Sequence, residues 1–200
     1  ASQLVTPAVD GYNPDIKRPK YDVALAKKLL AEAGYPNGFE ATFDTSNDRY
    51  INDSLVAEAI AGQLKKVGIK LTVMAQPKAT FFTKIEKYES PMFLVGWSQL
   101  DWAATMDRMF RAMTKDYGRN NRGRFSDPVL ERRMDEAAAM TDPAKRTRLF
   151  KEISADAYGT YFILPLYYEQ NVYGVSKKVV AACRADEHLY AFDLKKAKSK

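Results

Sequence analysis

The sequence predicts an α/β fold, a central β-sheet flanked by helices, on the strength of three observations. Between residues 22 and 97, segments with the period of a strand alternate with segments with the period of a helix. One of these segments, MFLVGW, is apolar throughout, which is typical of a strand buried on both faces of a sheet. The hydrophobic fraction of 46% in 200 residues is enough for a packed core.

The first predicted elements are a helix, a strand and a second helix. A helix is expected over residues 22–33, because Asp22 can cap its start and Gly34 with Pro36 can end it. FEATFDTS alternates apolar and polar residues and predicts a strand. NDSLVAEAIAGQLKKVG offers capping residues and an apolar stripe at helical spacing, and it therefore predicts a helix that ends at Gly68.

The remaining elements follow in the same alternating order. IKLTVMA predicts the second strand, and a short helix through Phe81 and Ile85 leads to the MFLVGW strand. A helix is expected over Thr105–Met113, followed by two helices that each begin with Asp-Pro, in SDPVLERRMDEAAAM and DPAKRTRLFKEISADAYGTY. YFILPLYYEQNVYGV is aromatic and β-branched, so it predicts one or two strands interrupted at Pro165.

Several classes of protein are disfavoured by what the sequence contains. Its apolar runs are much shorter than the roughly 20 residues of a membrane helix. With His188 as the only histidine and Cys183 as the only cysteine, neither a metal site nor a catalytic constellation is predicted. No glycine-rich phosphate loop and no nucleophile elbow are found. We therefore predict a protein that is not an enzyme and that needs no cofactor.

Two other functions remain open as alternatives. The chain could be an α/β enzyme domain whose catalytic partners lie on a missing segment. It could also be a basic nucleic-acid-binding domain, since its net charge is +6 and the loop TKDYGRNNRGRF carries Arg119, Arg122 and Arg124. No recognisable nucleic-acid module surrounds that loop, so nucleic acid is not predicted as a partner.

The stretch FLVGWSQLDWAAT is the best candidate for a binding site. It contains both tryptophans, Trp97 and Trp102, with Asp101 beside the second, at the carboxyl end of a predicted strand. Ligands of open α/β sheets gather outside such strand ends. Two aromatic rings and a carboxylate suit a ligand with an ammonium and apolar groups. The alternatives are that Trp97 belongs to the core and that Asp101 caps the next helix.

Several segments together resemble the C-terminal lobe of a family 5 extracellular solute-binding protein of ABC importers, the dipeptide, oligopeptide and nickel-binding group. The segments that carry this resemblance follow one another over about 170 residues. They are YDVALAKKLLAEAGYPNGFE, TSNDRYINDSLVAEAIAGQLKKVGIKLTV, the VGW turn, NRGRFSDPVLERRMDEA, and TDPAKRTRLFKEI with the ILPLYY strand.

The resemblance implies a type II periplasmic-binding fold, in which two lobes close on a ligand and then dock on a membrane permease. Residues 1–200 would form a single α/β lobe, a fragment of a larger protein whose N-terminal lobe is missing. Residues 1–20 would be an extended lead, and residues 180–200 a tail that returns toward the missing lobe. The expected location is the periplasm, and the expected ligand is a small molecule, with a di- or oligopeptide favoured.

Family roles are carried over at only a few positions. In dipeptide-binding members, an arginine soon after the first strand of this lobe meets the ligand carboxylate, and NDRYIN places Arg49 at the similar position. Peptide-binding members hold the ligand amine with an aspartate three residues after the GW tryptophan. That position is Leu100 here, and Asp101 follows it. The predicted ligand-binding residues are therefore Arg49, Trp97, Asp101 and Trp102.

Overall fold

The computed structural model describes residues 1–98, 101–170, 172–181, 184, 188 and 190–197. The chain divides into two compact units. The first unit comprises Ala1–Lys17, Ser98–Arg111 and Ser126–Lys200, and the second comprises Arg18–Trp97 and Ala112–Phe125. The single lobe over residues 1–200, with its lead and tail, stays a prediction.

The second unit contains the predicted alternation of strands and helices. Asp22 caps the first helix by accepting the Leu25 N–H, and Gly68 ends the second helical segment with a φ of 92°. The helical and strand bounds agree closely with the expected ones, because local capping and periodicity determine them. The elements are α1 (Val23–Glu32), β1 (Glu40–Ser46), α2 (Asp53–Leu64), β2 (Lys70–Gln76) and α3 (Lys78–Glu86).

The sheet of the second unit is parallel, as the helical crossover requires. β1 pairs with β2 from Glu40 opposite Lys70 to Ser46 opposite Gln76. At its other edge, β1 is joined to the following chain by a parallel bridge between Asp44 and Phe93. β1 therefore lies between β2 and the segment around Phe93, and the chain crosses over β1 after β2.

The MFLVGW segment is not the fully buried strand that was predicted. Its contact with β1 consists of two backbone hydrogen bonds, from the Asp44 N–H to the Met92 carbonyl and from the Leu94 N–H to the Asp44 carbonyl, both 2.9 Å. Phe93 and Leu94 are half-buried. A strand is buried on both faces only where other elements pack over both faces of the sheet, and the half-burial of Phe93 and Leu94 shows that this cover is incomplete. In the described part of the chain, the segment also pairs on one edge only.

The first unit is built around three helices, and the caps of two of them were predicted. Asp127 and Asp142 each accept two backbone N–H groups at the start of a helix whose first residue is proline. The helix expected over Thr105–Met113 begins three residues earlier, at Trp102, because Asp101 caps it, and it ends at Met109. The elements are α4 (Trp102–Met109), α5 (Pro128–Ala139), α6 (Pro143–Gly159) and the antiparallel pair β3 (Val179–Ala181) and β4 (Leu194–Lys196).

The N-terminal segment packs into the core of the first unit without forming a helix or strand. The Gln3 side chain both donates to the Asn13 carbonyl and accepts the Asn13 N–H, and both residues are buried. The Tyr158 hydroxyl of α6 accepts the Leu4 N–H at 2.9 Å. Val5 is fully buried. Side chains thus satisfy backbone groups that regular structure would otherwise pair.

The strands predicted in YFILPLYYEQNVYGV are wrong for the residues that the structure describes there, all but residue 171. No strand is formed, and Leu164 and Val172 are exposed. A strand needs a partner backbone, and Pro165 lacks the N–H with which a ladder could be extended.

No helix within the described ranges is long and apolar enough to cross a membrane.

Candidate functional site

The order of strands in the second unit creates a point where ligands of α/β proteins commonly bind. The connection through α2 leads from β1 to β2 on one side, whereas the connection through α3 leads back to the Phe93 segment on the other side. Strand order therefore reverses at β1. Crevices outside the carboxyl ends of two such diverging strands are the usual ligand sites of open parallel sheets.

Arg49 and Tyr50 follow the carboxyl end of β1 and occupy this point. Arg49 is exposed, and its guanidinium carbon lies 5.0 Å from the centre of the Tyr50 ring. No salt bridge to Arg49 is present among the described residues. The guanidinium fork is therefore available for an oxyanion, the group that its planar donors fit best.

Trp97 follows the carboxyl end of the Phe93 segment. The residue before it, Gly96, is in close contact with Tyr50. The Tyr50 hydroxyl lies 3.4 Å from the Gly96 carbonyl oxygen, at the long limit of a hydrogen bond. A Cβ on Gly96 would lie 2.5 Å from the Tyr50 ring, so the backbone can pass there only because residue 96 is glycine. Tyr50 thus connects Arg49 to the chain that carries the half-buried Trp97.

Asp53 holds the turn that carries Arg49 and Tyr50. Its carboxyl group is buried, with Oδ2 accepting the Ser46 hydroxyl at 2.7 Å, the Tyr50 N–H at 3.2 Å and the Arg49 N–H at 3.3 Å. Oδ1 accepts the Ser54 N–H at 2.9 Å. Burial by itself raises the pKa of Asp53, but these hydrogen bonds to the charged form outweigh it and leave the pKa below its ordinary value.

The lowered pKa of Asp53 predicts a pH-dependent contribution to stability. A carboxyl whose folded-state pKa lies below the unfolded value of 3.8 stabilises the fold above that value and ceases to do so as the pH falls through the folded pKa. The free energy of unfolding lost in Asp53→Ala should therefore be constant between about pH 5 and pH 8 and should shrink below about pH 4. Denaturant titrations across this range measure the difference. A loss that is the same at all pH values would contradict the prediction.

Asp101 and Trp102 lie in the first unit, at the start of α4. The Asp101 carboxylate accepts the Ala104 N–H at 2.6 Å, which is the capping role left open by the sequence. Its side chain is exposed, so its ligand role stays a prediction. Trp102 is only 3% exposed and stacks on Phe150 with ring centres 3.9 Å apart. This position supports a core role for Trp102 and gives no support to ligand contact. Leu100 lies outside the described residues.

The arginine loop interpreted above as a possible nucleic-acid contact packs against its own unit. Arg122 Nη2 lies 3.4 Å from Glu86 Oε1, and the Arg122 guanidinium carbon lies 5.7 Å from the centre of the Phe82 ring. The guanidinium carbon of Arg124 lies 4.4 Å from the centre of the Tyr88 ring. Two of the three arginines therefore have partners within the protein.

His188 is stacked on Tyr190, and no cluster that could hold a metal ion is found in the described part of the chain.

Two residues of this site, Tyr50 and Asp53, were missed by the sequence interpretation. Tyr50 stands beside Arg49 in the sequence, but nothing local indicates that its ring meets Gly96. Asp53 was included only among possible capping residues of the second helix. Its burial follows from the turn that folds back over it, since Ser46, Arg49 and Tyr50 all donate to its carboxylate.

Comparison with known proteins identifies the family. Residues 1–121 match the model described as bacterial extracellular solute-binding proteins, family 5 Middle. The chain belongs to family 5 of these solute-binding proteins. The match covers all of the second unit except its last residues and includes Arg49, Tyr50, Asp53 and Trp97.

Among curated relatives of this family 5 chain are binding proteins of different ligands. The glutathione-binding protein GsiB of Escherichia coli K12 is 30% identical over 188 residues, which cover 90% of this chain and 36% of that protein. The heme-binding protein A of Haemophilus influenzae is 29% identical over 160 residues, covering 76% of this chain and 28% of that protein. The chain thus spans about a third of the length of these relatives.

Solved structures of periplasmic binding proteins confirm the type II periplasmic-binding fold. HbpA2 of Haemophilus parasuis matches with a TM-score of 0.68 and 27% identity, covering 77% of this chain and 31% of that one. The periplasmic binding protein DppA of Helicobacter pylori, solved with the peptide STSA, matches with a TM-score of 0.71 and 24% identity over 79% of this chain and 31% of that one. GsiB, heme-binding protein A and DppA are all named as binding proteins.

Proposed function

We propose that this chain is the C-terminal lobe of a periplasmic solute-binding protein that serves an ABC importer. The preferred ligand is a di- or oligopeptide, bound by closure of this lobe and an N-terminal lobe. Family membership supports the transport role. A ligand that contacts both lobes favours the closed form, which the membrane permease then receives.

The observation that carries the proposal is the exposed Arg49 guanidinium at the strand reversal, next to Tyr50 and the chain that leads to Trp97. The ligands in the relatives' names, glutathione and heme, both carry carboxylates, as does the peptide STSA. Arg49 would bind such a carboxylate through its paired donors. Trp97 and Tyr50 would supply aromatic contacts to the rest of the ligand.

The proposal predicts that Arg49→Ala weakens ligand binding by about 1.5–3 kcal/mol, the usual contribution of a hydrogen bond to a charged group. The measurement is titration calorimetry on the full-length protein with reduced glutathione, the dipeptide Met-Leu and heme. Arg119→Ala is the matched control, since Arg119 is an exposed arginine of the same unit on another loop. Equal affinities in wild type and Arg49→Ala would contradict the role of Arg49. A full-length protein that binds no peptide would contradict the peptide assignment.

A further inference from the structure

A buried carboxylate, that of Asp53, accepts two backbone N–H groups of the turn after β1. The turn is also held by the Asp48 carboxylate, which accepts the Lys78 N–H, and by the Asn47 N–H, which donates to the Gln76 carbonyl. In residues 47–52, the chain leaves the strand and enters α2, and the exposed residues of this turn include Arg49. The backbone N–H groups of Arg49 and Tyr50 both point at Asp53 Oδ2, which also accepts the Ser46 hydroxyl. One oxygen atom thus connects the end of the strand, the turn and the start of the helix.

A carboxylate in this place is costly unless it is fully hydrogen-bonded. Asp53 is 3% exposed, and a buried charge without partners would be strongly unfavourable. Its four acceptor bonds and its position in the first turn of α2, where the helix dipole favours negative charge, compensate for that cost. The turn therefore cannot move away from Asp53 without leaving a buried charge unsatisfied.

We infer that Asp53 is a positioning residue of the ligand site, which holds the Arg49–Tyr50 backbone so that the Arg49 guanidinium meets the ligand carboxylate. Asp53 itself does not touch the ligand. The inference rests on the proposed function, because it gives Arg49 the carboxylate-binding role described there. Pre-organisation of this kind increases affinity by reducing the ordering cost of binding.

The same turn also carries Tyr50, which contacts the backbone just before Trp97. Tyr50 follows Arg49 directly, and its ring fills the space over Gly96. Loss of Asp53 would loosen the backbone that carries both Arg49 and Tyr50. The loss of Asp53 should therefore disturb the ligand contacts of Tyr50 as well as those of Arg49.

The first test needs no ligand. Hydrogen exchange of the Arg49 and Tyr50 amides is compared in the full-length protein, in its Asp53→Ala variant and in the matched control Glu58→Ala, an exposed acid of the same helix. Exchange of both amides should rise at least about tenfold in Asp53→Ala and stay unchanged in Glu58→Ala. Asp53→Asn, which keeps one oxygen for the turn, should give an intermediate rate. Unchanged exchange in Asp53→Ala would overturn the inference.

The second test is a double-mutant cycle on the full-length protein, read by calorimetry with reduced glutathione and Met-Leu at a temperature where every variant is folded. Asp53→Ala should weaken affinity roughly tenfold alone and by a clearly smaller factor when Arg49 is already alanine and only the contacts of Tyr50 remain to be disturbed, because residues that act through one another are not additive. An equal loss in both backgrounds would overturn the inference and leave the proposed function intact. If Arg49→Ala alone has no effect, the carboxylate-binding role of Arg49 in the proposed function fails, and the positioning of a ligand by Asp53 fails with it.

Discussion

Replacement of Trp102 by alanine should lower the free energy of unfolding by about 3–5 kcal/mol, the range for a large aromatic residue removed from a core. Trp102 stacks on Phe150 with an angle of 20° between the rings, and its indole N–H donates to the Ser154 hydroxyl at 2.7 Å. A Cβ on Gly11 would lie 2.8 Å from the indole, so the ring is enclosed from that side as well. Truncation would leave both a cavity and a buried hydroxyl without its donor.

The matched control is Trp97→Ala, since Trp97 is the other tryptophan of the same stretch and is half-buried. We expect Trp97→Ala to cost less stability and to weaken ligand binding, whereas Trp102→Ala should affect stability first. Denaturant unfolding followed by circular dichroism measures the first quantity and calorimetry on the full-length protein measures the second. A Trp102→Ala variant of unchanged stability that no longer binds ligand would show that Trp102 is a ligand contact.

Replacement of Gly38 by alanine should cost about 3 kcal/mol or more in stability, from a left-handed backbone and from overpacking together. Gly38 has a φ of 76°, and a Cβ there would lie 2.1 Å from the Gly68 carbonyl oxygen. Gly68 in turn has a φ of 92°, with its own missing Cβ 2.9 Å from the Asn37 carbonyl oxygen. Two backbones therefore touch where the chain enters β1 and β2, and neither can withdraw without disturbing the strands.

Gly62 provides the control for this change. It lies inside α2, and a Cβ added there would meet nothing within 4 Å. Gly62→Ala should stabilise the protein by about 0.5–1 kcal/mol, because alanine is the better helix former. Thermal and denaturant unfolding of both variants gives the comparison. If Gly38→Ala is as well tolerated as Gly62→Ala, then the close approach of the two backbones is wrong.

Local signals in the sequence were sufficient for the helices and for the parallel pair of strands. Asp22, Asp127 and Asp142 cap the helices at the predicted places because capping depends on a few neighbouring residues. The strand predictions in MFLVGW and YFILPLYYEQNVYGV were less accurate. Propensity indicates that such a segment can be a strand, but a strand forms only where another backbone offers hydrogen bonds.

The candidate site could be predicted only in part for a similar reason. Arg49 was identified through the resemblance and Trp97 through its place after an apolar segment, and both lie at the reversal of strand order. The two tryptophans look equivalent in sequence, yet Trp102 is enclosed by Phe150 and Ser154 and Trp97 is not as deeply buried. Asp53 resembles an ordinary helix-start residue until the loop that folds over it is known.

The most direct test of the carboxylate-binding role of Arg49 compares a ligand with its amide. Calorimetry on the full-length protein would measure Met-Leu or glutathione against the corresponding C-terminal amide, in wild type and in Arg49→Ala. We predict that wild type binds the free acid at least about tenfold more tightly than the amide, the factor that 1.4 kcal/mol gives, and that Arg49→Ala binds the two alike. Equal affinity of wild type for the acid and the amide would contradict the carboxylate-binding role of Arg49.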